Sequence, residues 1–273
     1  MSNITFFIAL ALYMLSSGCF IFSIGKDSKW LLRAGLISSL LGIGFHSFSL
    51  VVIGIQGGHI PITNLFEALS FLSWSLVLLF LISYLKYRSK ALAGFALPLA
   101  TIILLPAAFS SRAFQELPPF WQNWWLGLHG MSILLAYGAF GLAFISAIMY
   151  LLQERQLKIK SPGLLYRWLP SLERLEEINH KAITIGFAFL TFGIIIGLVW
   201  ARKAQSTGWS WGGKETWTVI TWLVYALLLH RRITSNLRGR KIAYLCILGF
   251  GLVLFTFIGV SLLFPGLHSF VGK

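Results

Sequence analysis

Eight apolar runs, each near the length that crosses a bilayer, follow one another along the chain. They cover residues 4–25, 33–55, 64–86, 91–110, 127–152, 182–201, 216–231 and 242–264. A helix needs about 20 apolar residues to span the hydrocarbon layer. Backbone polar groups in lipid must be satisfied within their own segment, so each run predicts an α-helix. The seventh run is the shortest and its ends are loosely defined. The pattern predicts an all-α, polytopic membrane protein with eight transmembrane helices and a single domain over 1–273. The longest gap, 153–181, reads as one loop. It holds SPG at 161–163 and then YRWLPSLERLEEINH, whose mixed charges and Leu/Trp positions predict a short interfacial helix.

Composition agrees with that reading. Of the 273 residues, 57% are hydrophobic and only 11% are charged, against roughly 25% in soluble domains. The net charge of +14 first suggests a nucleic-acid partner, but the distribution of charge argues otherwise. Of the 22 Lys and Arg residues, 17 fall in alternate loops and five on the opposite face. The positive-inside rule then puts both termini on the outer (periplasmic) side and 153–181 in the cytoplasm. The charge is a topology signal, and no nucleic acid is expected. Cys19 and Cys246 lie within apolar runs and form no CxxC, which suits small core residues. MSNITFFIALALYML lacks a basic n-region and reads as a retained first helix.

Candidate chemistry sits at one face. Histidines in or beside membrane helices each need a reason. His129 lies within a turn of the outer boundary of the fifth run, and His268 lies just past the eighth, also outside. The tryptophan-rich outer loop, 202–215, joins the sixth and seventh runs on that same face. Trp200, Trp209, Trp211 and Trp217 crowd in and around it. Either histidine alone reads as an ordinary interfacial residue among belt aromatics. Two imidazoles and an indole cluster from three distant places favour a haem site, because bis-His ligation suits haem iron. Trp209 and Trp211 suit the face and edge of the ring. Arg202, Lys203 and Lys214 break the inside bias and suit propionates, although exposed loop charges are usually just solvated.

His230 is different. It follows Glu215 by 15 residues, roughly 22 Å of helix, which puts it near the inner side and out of reach of the outer iron. Two readings stand: a deeper haem ligand, or a snorkelling end beside Arg231 and Arg232. His46, mid-way along the second run, reads as a buried imidazole bonded to a neighbouring hydroxyl or carbonyl. His59, in GGHIPITN, and His180, opening the sixth run from inside, read as structural or solvated. Glu67 is the only acid in a span and should pair with a polar group near the outer surface.

GWSWGGKETWTVITWLVYALLLH resembles the tryptophan-rich signature of the cytochrome c assembly, or haem-handling, superfamily, in its CcsA/ResC cytochrome c biogenesis branch. GGHIPITNLFEALSFLSW, LHGMSILLAYGAFGLAFISA, GFAFLTFGIIIGLVWA and the terminal GLHSF fall in the family's order, and eight helices agree with it. The family signature usually reads WGxxWSWDPKE. Gln205-Ser206 replace its first WG here, and Gly212-Gly213 replace its Asp-Pro. That removes a loop carboxylate and puts a freer turn in place of a rigid one.

The resemblance implies that His129 and His268 are axial ligands of an external haem. It implies that His230 belongs to a haem site within the membrane, whose opposite ligand comes from a CcsB/ResB-type membrane partner. The cargo would be haem b, held transiently as a substrate. The product would be haem attached covalently to the CxxCH of an apocytochrome c. The chain would be one component of a haem lyase (holocytochrome c synthase) complex in a bacterial inner (cytoplasmic) membrane. A HemX-like regulatory membrane protein, or a haem exporter without ligase activity, is the alternative. An electron-transfer cytochrome b is disfavoured, because no helix carries two histidines one leaflet apart.

Overall fold

Each of the eight apolar runs holds a helix among the described residues, and several helices reach beyond the runs. The computed structural model describes residues 2–24, 26, 28–112, 124–159, 163–204, 212–234 and 239–260. The order is α1 (Ser2–Phe22), α2 (Lys29–Gly57), α3 (Leu65–Tyr87), α4 (Lys90–Phe109), α5 (Trp124–Lys158), α6 (Leu164–Trp168), α7 (Leu172–Ala204), α8 (Gly213–Thr234) and α9 (Arg240–Leu254). A π-helical turn, Phe255–Gly259, continues α9. Among the described residues, seven helices are long and apolar enough to cross a membrane; α6 and α8 are not among them. The polar residues Lys214, Glu215, Arg231 and Arg232 at its two ends dilute α8.

Side-chain caps account for several of the helix starts. Ser28 accepts from Leu31 N, Asn64 from Glu67 N and Ser89 from Leu92 N, each taking one of the first-turn donors that a helix leaves open. Gly58 closes α2 in the left-handed region at φ 66°, where glycine carries no Cβ penalty.

The expected loop 153–181 is mostly helical. Glu154 and Lys158 form an i,i+4 ion pair, so α5 runs on past its apolar stretch. Pro170 follows the end of α6. Ser171 then caps α7, accepting from Arg174 N at 3.4 Å. His180 therefore lies in the third turn of α7 rather than at its start. The expected interfacial helix is reduced to α6, and its Trp168 is buried against Gly94 and Phe95. The 35 residues of α5 and 33 of α7 rise about 50 Å each, well beyond a roughly 30 Å hydrocarbon core. The tryptophan-rich connection is shorter than expected, because α7 persists to Ala204 and α8 begins at Gly213.

α3 and α5 are the most buried spans. α5 makes its most extensive contact with α7 and also packs on α3 and α9. Small residues allow the close approaches, as is usual between helices in lipid. A Cβ on Gly138 of α5 would strike Ser75 of α3. Hydroxyls bridge other pairs: Ser73 donates to the Ala100 carbonyl at 2.9 Å, and Ser16 to that of Gly35 at 2.6 Å. Lys86 of α3 meets Glu177 of α7 at 2.9 Å, so the end of α3 and the start of α7 share one side of the bundle.

Candidate functional site

His129 stands in the second turn of α5, after the stacked pair Trp124 and Trp125. Its Nδ1 donates to the carbonyl of Gly193 on α7 at 2.7 Å. A carbonyl can only accept, so that nitrogen carries the proton and Nε2 keeps its lone pair. Metal-binding histidines use the same tautomer, with the outer hydrogen bond fixing the ring. The ring lies over Gly197, where a Cβ would come within 2.6 Å of Cε1 and Nδ1. Gly193 and Gly197 thus form a cradle one turn long.

The other side of the same turn is braced by the connection between α2 and α3. Cβ atoms at Gly127 and Gly130 would run into Ile60 and Ile62. The N-terminal end of α5 is therefore held between two small-residue contacts.

The start of α8 lies at this end of the bundle, close to the end of α7. Trp217 meets Phe255 of the π-helical turn edge-on, with ring centroids 4.7 Å apart. Thr221 and Thr256 hydroxyls lie 3.0 Å apart. Lys214 is half-buried, and the Glu215 carboxylate folds over Gly212. Arg202 is exposed in the last turn of α7, and Lys203 follows it there. His268, Trp209 and Trp211 lie outside the described residues.

His230 is exposed near the far end of α8. Two residues on, Arg232 donates to Asn179 Oδ1 at 3.2 Å and to the Glu176 carbonyl at 2.9 Å. Asn179 Nδ2 in turn donates to the Ala143 carbonyl at 2.8 Å and meets Cys246 at 3.4 Å. This network ties α5, α7, α8 and α9 together beside His230. Two residues before Gly193 on α7, Thr191 Oγ1 accepts from Trp222 Nε1 of α8 at 2.8 Å. Along α7, fourteen residues separate Asn179, beside Arg232, from Gly193, beside His129. That is about 21 Å of rise, so His129 and His230 cannot share one iron.

The remaining histidines are packing residues here. His46 is fully buried, with Nδ1 3.3 Å from the Tyr13 hydroxyl. His59 Nδ1 donates to the Ile60 carbonyl at 3.0 Å. His180, on α7, has a buried Nδ1 without a hydrogen-bond partner among the described residues. Glu67 is 1% exposed and accepts from the backbone N–H and hydroxyl of Thr63. Among the described residues no three His, Cys, Asp or Glu side chains gather as a metal site. Gly193, Gly197 and Asn179 do not stand out in the sequence, and Arg232 does so only as a charged neighbour of His230. The GIIIG spacing at 193–197 was the available signal for the first two.

Residues 62–268 match the family of cytochrome c assembly proteins. This chain belongs to that family. The matched stretch takes in His129, His230 and His268 and leaves out His46 and His59. The chain is 33% identical to the cytochrome c biogenesis protein CcsA of Trieres chinensis, over 98% of this chain and 96% of that protein. It is 36% identical to the protein of the same name in Synechococcus sp. (strain JA-3-3Ab), over 79% of each. Among solved structures it resembles the cytochrome c heme lyase CcmF, with a TM-score of 0.67 over the whole of this chain. At 16% identity that likeness speaks for the fold alone, and this chain spans 46% of the lyase.

Proposed function

We propose that this chain is the membrane subunit of cytochrome c biogenesis that holds haem at the outer face for covalent attachment to apocytochrome c. One observation carries the reading. His129 is locked by Gly193 in the tautomer that offers Nε2 to iron, on the cradle Gly197 leaves open, at the end of the bundle where Trp217 lies in the second turn of α8. In this reading His268 supplies the second axial nitrogen. Trp209, Trp211 and Trp217 line the ring, and Arg202, Lys203 and Lys214 meet its propionates.

Eight of the helices cross the membrane, α8 joining the seven more apolar ones as the seventh span in chain order, with both termini on the periplasmic side of a bacterial inner membrane. The 17-to-5 split of basic residues supports this orientation. His230 belongs to a second haem site near the cytoplasmic side. Its exposure on α8 suits a ligand that approaches from a CcsB/ResB-type partner. The Arg232–Asn179 network holds the helix that presents it.

Haem b, the substrate, supplies the vinyl groups to which the two CxxCH thiols add, each sulfur bonding one vinyl carbon while its proton ends on the other. The residues of this chain position, shield and ligate; no acid–base pair of its own is needed at that step. Co-expression with a CcsB/ResB-type partner and a reporter c-type cytochrome tests the proposal. Covalent haem on the reporter is expected. A well-expressed pair that matures none contradicts it, and a haem-free chain that purifies alone then favours the HemX-like alternative.

A further inference from the structure

We propose that Glu67 is a positioning residue for His129, acting through the short connection between α2 and α3; this rests on reading His129 as a haem ligand. Glu67 is almost wholly buried in the first turn of α3, an expensive place for a carboxylate unless it is well hydrogen-bonded. The cap of α3 does not by itself require it, because Asn64 Oδ1 already accepts from Glu67 N at 2.9 Å. In the usual capping box the acid reaches back to the N–H of the capping residue. Here it reaches one residue further. Oε2 accepts from Thr63 N at 2.7 Å and from the Thr63 hydroxyl at 2.9 Å. Both bonds restrain the connection rather than the helix.

The restrained segment is short and already folded on itself. Ile62 N donates to the Ile60 carbonyl at 2.9 Å, and His59 Nδ1 donates to the same oxygen. Pro61 lies between the two isoleucines, and its ring limits the backbone further. Ile60 and Ile62 then press on Gly127 and Gly130, which leave no room for a Cβ. In helical projection those glycines lie away from His129, whose ring faces α7. The outer turn of α5 is thus wedged between the Thr63-anchored segment and Gly193 of α7. With the anchor gone, the isoleucines lose their fixed position and the turn can tilt. The 2.7 Å contact that sets the imidazole then loses its alignment.

The test compares haem spectra of the full chain purified with its partner. Glu67→Ala should weaken retention of the His129-dependent haem about tenfold, the lower end of what disturbing a ligand's supporting shell costs. The His230-dependent haem should be retained in the same sample, which separates positioning from general unfolding. Glu67→Gln should restore the spectrum, because an amide oxygen accepts from both Thr63 donors. Exogenous imidazole should rescue Glu67→Ala in part. Ile62→Ala breaks a different link in the same chain of contacts and should show the same selective loss; it serves if Glu67→Ala fails to accumulate. Ser73→Ala, on the α4 side of α3, should leave both haems in place.

An unchanged outer haem in Glu67→Ala and Ile62→Ala overturns the inference, and so does a Glu67→Gln variant as defective as Glu67→Ala. A wild-type outer haem indifferent to His129→Ala instead overturns the reading of the site itself.

Discussion

Replacing His129 and His268 together with alanine is expected to abolish the outer haem and covalent attachment to a reporter cytochrome. The inner, His230-dependent haem should survive. His129 Nε2 is free to ligate because Nδ1 is committed to the Gly193 carbonyl, and no other imidazole among the described residues shares that arrangement beside α7. Either single variant should leave under about a tenth of the wild-type outer haem, since removing a ligand costs more than the ~10–100-fold ascribed to its supporting partners. Optical spectra of the purified complex read both sites at once. A double variant with an unaltered spectrum would show that the iron is held elsewhere.

A second large effect is expected at Gly197, from one added methyl group. A Cβ there would come within 2.6 Å of the His129 ring. The ring cannot yield without leaving the Gly193 carbonyl, and α5 and α7 form the most extensive helix contact in the fold. Gly197→Ala should therefore lower affinity for the outer haem by about 10–100-fold, the cost of losing a ligand's orienting hydrogen bond. Overpacking adds roughly 1–3 kcal/mol of destabilisation. Gly251→Ala on α9 is the matched control, because a Cβ there meets nothing within 4 Å. A haem titration that does not distinguish the two variants would remove the cradle from the account.

Much of this architecture was legible in the chain because lipid enforces one rule on every span. An apolar run of sufficient length must be a helix, and each of the eight runs holds one among the described residues. Helix ends were less legible. Residues 153–158 and 172–181 are charged, so they leave the apolar pattern, yet Glu154–Lys158 and Glu177–Lys181 pairs and the Ser171 cap keep them helical. His129 could be placed near the start of the fifth helix from hydropathy alone. Its partner could not, because Gly193 is brought to it by the packing of α5 on α7, and periodicity within one helix says nothing of which neighbour it meets. Asn179 escaped notice for the same reason. It is one polar residue in a charged stretch until α8 brings Arg232 and α9 brings Cys246 to it. Glu67 was legible as an acid needing a partner, but not that Thr63 would be that partner.

The central claim is that one porphyrin is ligated by His129 and His268 on a single face. A structure of the haem-loaded complex with its partner tests it most directly. The account predicts iron bonded to Nε2 of both imidazoles, with the Gly193 carbonyl still bonded to His129 Nδ1 and the Trp217 end of α8 beside the ring. The two imidazoles on opposite sides of the membrane, or an outer iron held by other residues, would contradict it.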